Sequence, residues 1–279
     1  MRFLKNSLRR LFQRLGYEVV TRSRTPLLED LTRMRNELNL SPSPLAQTVQ
    51  FFANSTAAWH LCWLLQHYNI SLVLDVGANQ GQFAQLLRRH AFRGQIESFE
   101  PLSRCVAALR ILAANDRYWT VHPFALGART CESRLKTFVD SSFSSFHQTT
   151  SFAHARFGNM LTDTGDEAVK VETLSSLWPD LTGPFANPKI LLKIDTQGHD
   201  LAVLQGARDA LSEIHSVMCE VSLVPLYEGI PTYLDIFAFL QTHGFECSGV
   251  YPVSYREDRP TIIELNAFFI NARLSASST

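Results

Sequence analysis

Two groups of side chains in this 279-residue sequence have the types and spacing to do chemistry. The first is Asp75-x-Gly77-x-Asn79-x-Gly81, followed by Glu100 in Phe99-Glu100-Pro101. Glycines at a strand-to-helix turn let backbone N–H groups approach a bound molecule closely. An acid ending the next strand is placed to take two ribose hydroxyls. The second group is Asp195, His199, Asp200 and Glu220. A carboxylate or an imidazole at a strand end can take the proton of a hydroxyl and turn it into a nucleophile. Asp195 is the first candidate for base or metal ligand. His199 is a second proton acceptor, or else an exposed ring at a helix start. Asp200 reads equally as a complement to a helix dipole. Glu220 could orient a hydroxyl, complete a metal site with Asp195, or be a buried acid satisfied by its neighbours. An oxygen-only set would suit magnesium, although the sequence defines no ligand set.

The elements that must position these residues are legible. Leu72–Val76 is a short apolar strand, and Gln82 to His90 has helical spacing, so residues 77–81 form the turn between them. Gln95–Glu100 is a second strand, with Pro101 starting a helix. Residues 119–124 form a third strand, leading into Ala125-Leu126-Gly127, where an adenine edge would lie. Ile190–Asp195 and Val217–Val221 are the fourth and fifth strands, and two β runs near 245–253 and 261–270 close the chain. Ligands of open α/β sheets sit at the carboxyl ends of strands, so Asp195 should face the reacting group. The long stretch 128–188 reads as a lid, with Ser144 and Ser145 as candidate ligand contacts.

The glycine spacing discriminates between cofactors. A dinucleotide site would show Gly-x-Gly-x-x-Gly. Here an acid at the strand end precedes a Gly-x-x-x-Gly turn, which suits the methionine amino group of S-adenosylmethionine. An NAD-dependent oxidoreductase is thereby disfavoured.

Composition sets the outer bounds. Apolar residues make up 46% and charged residues 19%, which is globular rather than disordered. The formal net charge is zero, which argues against a nucleic-acid binder. Five scattered cysteines form no metal-ligand spacing and read as reduced thiols of a cytoplasmic protein. Charge is uneven, however: residues 1–24 carry +6, with Leu4, Leu8, Leu11 and Leu15 on one face of a basic amphipathic helix. That helix could dock on a membrane surface through residues 1–15. Packing on the main domain or on a partner subunit is the preferred reading. Residues 22–45 read as a connector. A helix from Thr48 to Tyr68 would cover one end of a sheet with Phe51, Phe52, Trp59, Trp63 and Leu64.

Taken together, the sequence resembles the FkbM family of S-adenosylmethionine-dependent methyltransferases. The segments that carry the resemblance run from about residue 70 to 271. They are Asp75-Val76-Gly77-Ala78-Asn79-Gln80-Gly81, Phe99-Glu100-Pro101, Ala125-Leu126-Gly127 and Val171-Glu172-Thr173-Leu174. Beyond these come Lys193-Ile194-Asp195-Thr196-Gln197-Gly198-His199-Asp200, Val203-Leu204-Gln205-Gly206-Ala207, Glu220-Val221-Ser222 and Pro225-Leu226-Tyr227-Glu228-Gly229. Many members of the family have Glu where this chain has Gln197. The resemblance implies a class I methyltransferase fold: a seven-stranded, mostly parallel Rossmann-like sheet with helices on both faces, here with an N-terminal helical extension. It implies residues 56–279 as that domain and 1–55 as the helix and connector. It further implies O-methylation of a sugar, glycolipid or polyketide-type hydroxyl. Asp75, Gly77, Asn79, Gly81, Glu100, Ala125 and Leu126 would then bind the cofactor, and Asp195, His199 and Glu220 would do the chemistry. A catalytically silent binding or assembly module with this fold is the alternative; Asp195→Asn would leave such a module indifferent.

Overall fold

The computed structural model describes residues 46–275. The basic segment 1–24, the connector, and any contact of residues 1–15 with a membrane lie outside them. The compact unit that holds the sheet begins at Gln50, and the boundary expected between residues 55 and 56 falls inside helix α1 (Ala46–His67). No helix among the described residues is long and apolar enough to cross a membrane.

Strands β1 (Leu72–Val76), β2 (Gln95–Phe99) and β3 (Trp119–His122) alternate with helices α2 (Gln82–Arg89) and α3 (Ser103–Ala113). After a small second sheet come β7 (Ile190–Ile194), α6 (Asp200–Gly206), β8 (Ile214–Ser222), α7 (Tyr233–Thr242), β9 (Phe245–Tyr255) and β10 (Ile262–Asn271). The main sheet has the order β3-β2-β1-β7-β8-β10-β9. Only β10 runs against its neighbours β8 and β9. The chain winds outward from β1 in one direction and from β7 in the other. The switch point therefore lies between β1 and β7, where a crevice opens above the strand ends. This is the class I methyltransferase topology.

Why these residues make these strands follows from burial on both faces. β1 and β7 are covered on both sides, so they are continuous apolar runs rather than alternating ones. Leu72, Leu74 and Val76 join Ile190, Leu192 and Ile194 in one core layer. Val73 and Leu191 face the other layer, with Leu61, Leu64, Leu65 and Leu87. Asp75 and Lys193 point to this second side too. They are register partners, so two opposite charges are buried side by side.

Three expectations are corrected here. Helix α1 buries Ala57, Leu61, Leu64 and Leu65, at helical spacing, while Trp59 and Trp63 stand on the opposite face, 68% and 52% exposed. Bulk alone pointed to the tryptophans; the period of the smaller residues decides. Helix α3 begins at Ser103 rather than Pro101. Stretch 128–188 is no structureless lid. It holds β5 (Cys131–Phe138), α4 (Ser151–Phe157), β6 (Asp163–Glu172) and α5 (Leu174–Thr182). With β4 (Ala125–Leu126), the two strands form a second sheet of order β4-β6-β5. The alternation of exposed and buried residues along β5 is the sign of one solvated face.

Candidate active site

A cavity of about 230 Å³ opens over the carboxyl ends of β1, β2, β4, β7 and β8. One wall is apolar: Phe99, Leu102, Ala125, Leu126 and Leu135. The other carries Glu100, Asp195, Glu220 and Glu264. No lysine, arginine or histidine among the described residues lines it.

The glycine turn forms the floor. Gly77 has φ +74°, and a Cβ there would lie 1.9 Å from the Asp195 carbonyl oxygen. Its role is to let β1 and β7 meet at the switch point. Every amide of the turn is used internally. Gly77 and Ala78 N–H donate to the Phe99 carbonyl (3.0 and 3.1 Å), and Gly81 N–H to that of Ala78 (2.9 Å). Asn79 N–H donates to Glu100 Oε2 (2.8 Å), and Gln80 N–H to Gln82 Oε1 (3.1 Å). The turn therefore offers no free amides to a phosphate.

Glu100 sits in the cavity wall, its other oxygen accepting from Leu102 N–H (2.8 Å). Burial pushes its carboxyl up to about 7, against the pull of those two amides. Asp195 directly follows β7, and its side chain is one third exposed. Gln197 Nε2 donates to its Oδ1 (3.0 Å), and Lys193 Nζ lies 3.6 Å from its Oδ2. Glu220 is pushed well up by burial and by the acids around it. Glu264, also in the wall, is raised to about 7 by burial, with Ser254 Oγ donating to it at 3.1 Å. Glu220 and Glu264 lie diagonally across the β8–β10 pair, and burial beside a second acid favours the protonated form of both. Two hydroxyls of the wall, Ser144 Oγ and Thr196 Oγ1, are buried with no hydrogen-bond partner in the protein.

Of the residues expected from sequence, Gly77, Asn79, Glu100, Ala125, Leu126, Asp195 and Glu220 line the cavity. Asp75, Gly81 and His199 do not. Asp75 is fully buried under the floor, ion-paired with Lys193 at 3.1 Å. Burial opposes the Lys193 charge, but Asp75, Asp195 and Glu220 outweigh it and raise the ammonium group. Lys193 Nζ also donates to the Gly77 carbonyl (3.0 Å), bracing the turn. His199 precedes α6 with its ring against Phe146, centroids 4.7 Å apart. Burial drives its imidazole down to about 4, so it is neutral at pH 7. Asp200 accepts from Thr196 and Gly198 N–H (3.2 Å each), tying off the β7–α6 turn. Ser145 is buried, its hydroxyl donating to the Gln197 carbonyl at 2.6 Å, whereas Ser144 faces the cavity.

Glu264 was missed because β10 reads as an edge hairpin strand; its antiparallel insertion beside β8 brings it in. No group of three or more His, Cys, Asp or Glu residues suited to a metal ion occurs among the described residues.

This fold, with acids at the switch point, defines a methyltransferase of class I. Residues 75–247 match the methyltransferase FkbM domain, and the chain belongs to that family. A search of curated proteins gave no match. Among solved structures, the chain is similar to magnesium protoporphyrin IX methyltransferase (ChlM) from Synechocystis PCC 6803 with bound SAM: 11% identity, TM-score 0.43, 87% of this chain and 91% of that one. It is also similar to precorrin-6y C5,15-methyltransferase from Geobacter metallireducens GS-15, with 9% identity, TM-score 0.39 and coverage of 75% and 85%. A third is Aeropyrum pernix fibrillarin in complex with S-adenosyl-L-methionine, with 11% identity, TM-score 0.41 and coverage of 72% and 66%.

Proposed function

We propose that this chain transfers a methyl group from S-adenosylmethionine to a hydroxyl of a sugar, glycolipid or polyketide-type small molecule. The observation that carries the cofactor reading is the lining of the cavity: four carboxyl side chains, no lysine, arginine or histidine among the described residues, and a glycine turn with its amides already engaged. A pyrophosphate would be repelled there, and a sulfonium with an amino group would be welcome. When bound, S-adenosylmethionine supplies an electrophilic methyl group on a positively charged sulfur.

The residues present fit that group. Glu100 has lone pairs to spare for ribose hydroxyls. Phe99, Ala125, Leu126 and Leu135 give an apolar slot for an adenine. The unpartnered hydroxyls of Ser144 and Thr196 are donors for a carboxylate. Asp195, in the cavity wall, rather than His199, which does not line it, takes the proton of the acceptor hydroxyl. Glu220 and Glu264 stand beside it, both pushed toward the protonated form by burial. Asp75 and His199 are structural on this reading.

The test is methyl transfer with methyl-labelled cofactor to a panel of sugars, glycolipids and polyketide alcohols, with and without chelator. Label on oxygen, reduced by roughly 10²-fold or more in Asp195→Asn, is expected from loss of a general base. Label on nitrogen or carbon, or undiminished turnover in the variant, would overturn it.

A further inference from the structure

The β7–α6 turn contains a cost without an obvious local return. Gln197 has φ +52°, a left-handed conformation in which glycine or asparagine would sit with less strain. Such strain persists where the surroundings hold it for a purpose. The side chain shows the purpose. Gln197 Nε2 donates to Asp195 Oδ1 at 3.0 Å, and its Oε1 lies 2.9 Å from the Tyr227 hydroxyl. Asp195, when ionised, can only accept, so the amide nitrogen must face it and the amide oxygen must face Tyr227. Tyr227 is 1% exposed, and its hydroxyl is also 2.9 Å from the Phe143 carbonyl. Burial, reinforced by the nearby acids, pushes the phenol far up, so it stays a donor whose single proton is divided between the Phe143 carbonyl and Gln197 Oε1. Phe143 belongs to the segment that carries Ser144 into the cavity. Asparagine, one methylene shorter, would not span from this backbone to both partners.

We propose that Gln197 and Tyr227 are positioning residues that lock the carboxylate of Asp195 in one orientation toward the methyl-bearing cationic sulfur of the cofactor, the point at which the acceptor hydroxyl also arrives, and that register the 141–146 wall against it. The inference rests on the proposed function above. Oδ1 is held by the glutamine, while Oδ2 lies 3.6 Å from Lys193 Nζ and is free of that amide. The narrow crevice behind, about 20 Å³, adjoins Gln197, Tyr227 and Asp195 and has room for about one water. A freed Asp195 side chain could therefore turn away from the cavity.

The experiment is calorimetric titration of the full chain with S-adenosylmethionine and, separately, with neutral-sulfur S-adenosylhomocysteine, in wild type, Tyr227→Phe and Gln197→Met. A residue that only supports the fold weakens both ligands alike and leaves their affinity ratio unchanged. A lock on Asp195 acts on the charged ligand, so the ratio of S-adenosylmethionine to S-adenosylhomocysteine affinity should fall roughly tenfold in both variants. Tyr227→Phe removes one oxygen and Gln197→Met keeps the chain length, so either carries the test if the other fails to fold. A wild-type ratio in the folded variants would overturn the lock while leaving the cofactor reading intact. Failure of wild type to bind either ligand would overturn both.

Discussion

Glu100 and Glu264 set the pH behaviour of the site, because both carboxyls are driven up to about 7 by burial. On the proposed reading, ribose hydroxyls take the ionised Glu100 as their acceptor. The affinity for S-adenosylhomocysteine should accordingly fall as pH drops below 7, approaching tenfold per unit, and titration calorimetry across pH 5.5–8.5 would read it. A flat profile would remove Glu100 from the ribose site. Stability without ligand runs the other way. Between pH 4.5 and about 7 the folded chain holds the proton that the unfolded chain releases, so stability declines as pH rises and levels off above 7. Glu264→Gln should raise the melting temperature at pH 8, by up to about 3 kcal/mol of stability, and change nothing near pH 4.5. Single residues were legible unevenly. Glu100 and Asp195 were expected at the crevice because strand ends are identifiable, and both line the cavity. Asp75 and His199 have the right chemistry in the right segments, but the direction of a side chain at a strand end depends on its partner. Lys193 beneath and Phe146 beside take those two out of the cavity.

At the scale of elements, the join between β1 and β7 holds the site together. The Asp75–Lys193 pair lies in register across it, buried on both sides. Lys193→Met would strand a buried carboxylate and should cost about 3–5 kcal/mol in denaturant melts, much of it recovered in the double variant with Asp75→Asn. Gly77→Ala should be as severe, since its methyl would overlap the Asp195 carbonyl at 1.9 Å and its φ is positive. An unchanged melting curve for either would contradict this account of the strand join. The main-sheet strands were readable as apolar runs closed by glycine or charge. The second sheet was not, because β5 is half solvated and its apolar residues are spaced among polar ones. Its partners are also distant in sequence, with β4 pairing with β6 some 45 residues on.

Across the whole molecule, the winding order of the sheet, the apolar wall and the acidic wall converge on one cavity at the switch point. The order was predictable, since strands alternating with helices make a parallel sheet and the closing hairpin supplies the reversed strand. Charge balance between the walls was not, because it depends on which acids the antiparallel β10 brings alongside β8. Glu100 is the most diagnostic residue of the cofactor site proposed for this cavity. Titration of S-adenosylhomocysteine into the wild-type chain and into Glu100→Ala at pH 8 tests that site most directly. Micromolar binding by the wild type, lost in the folded variant, is the predicted result; no binding by folded wild-type protein, or equal binding by both, would contradict it.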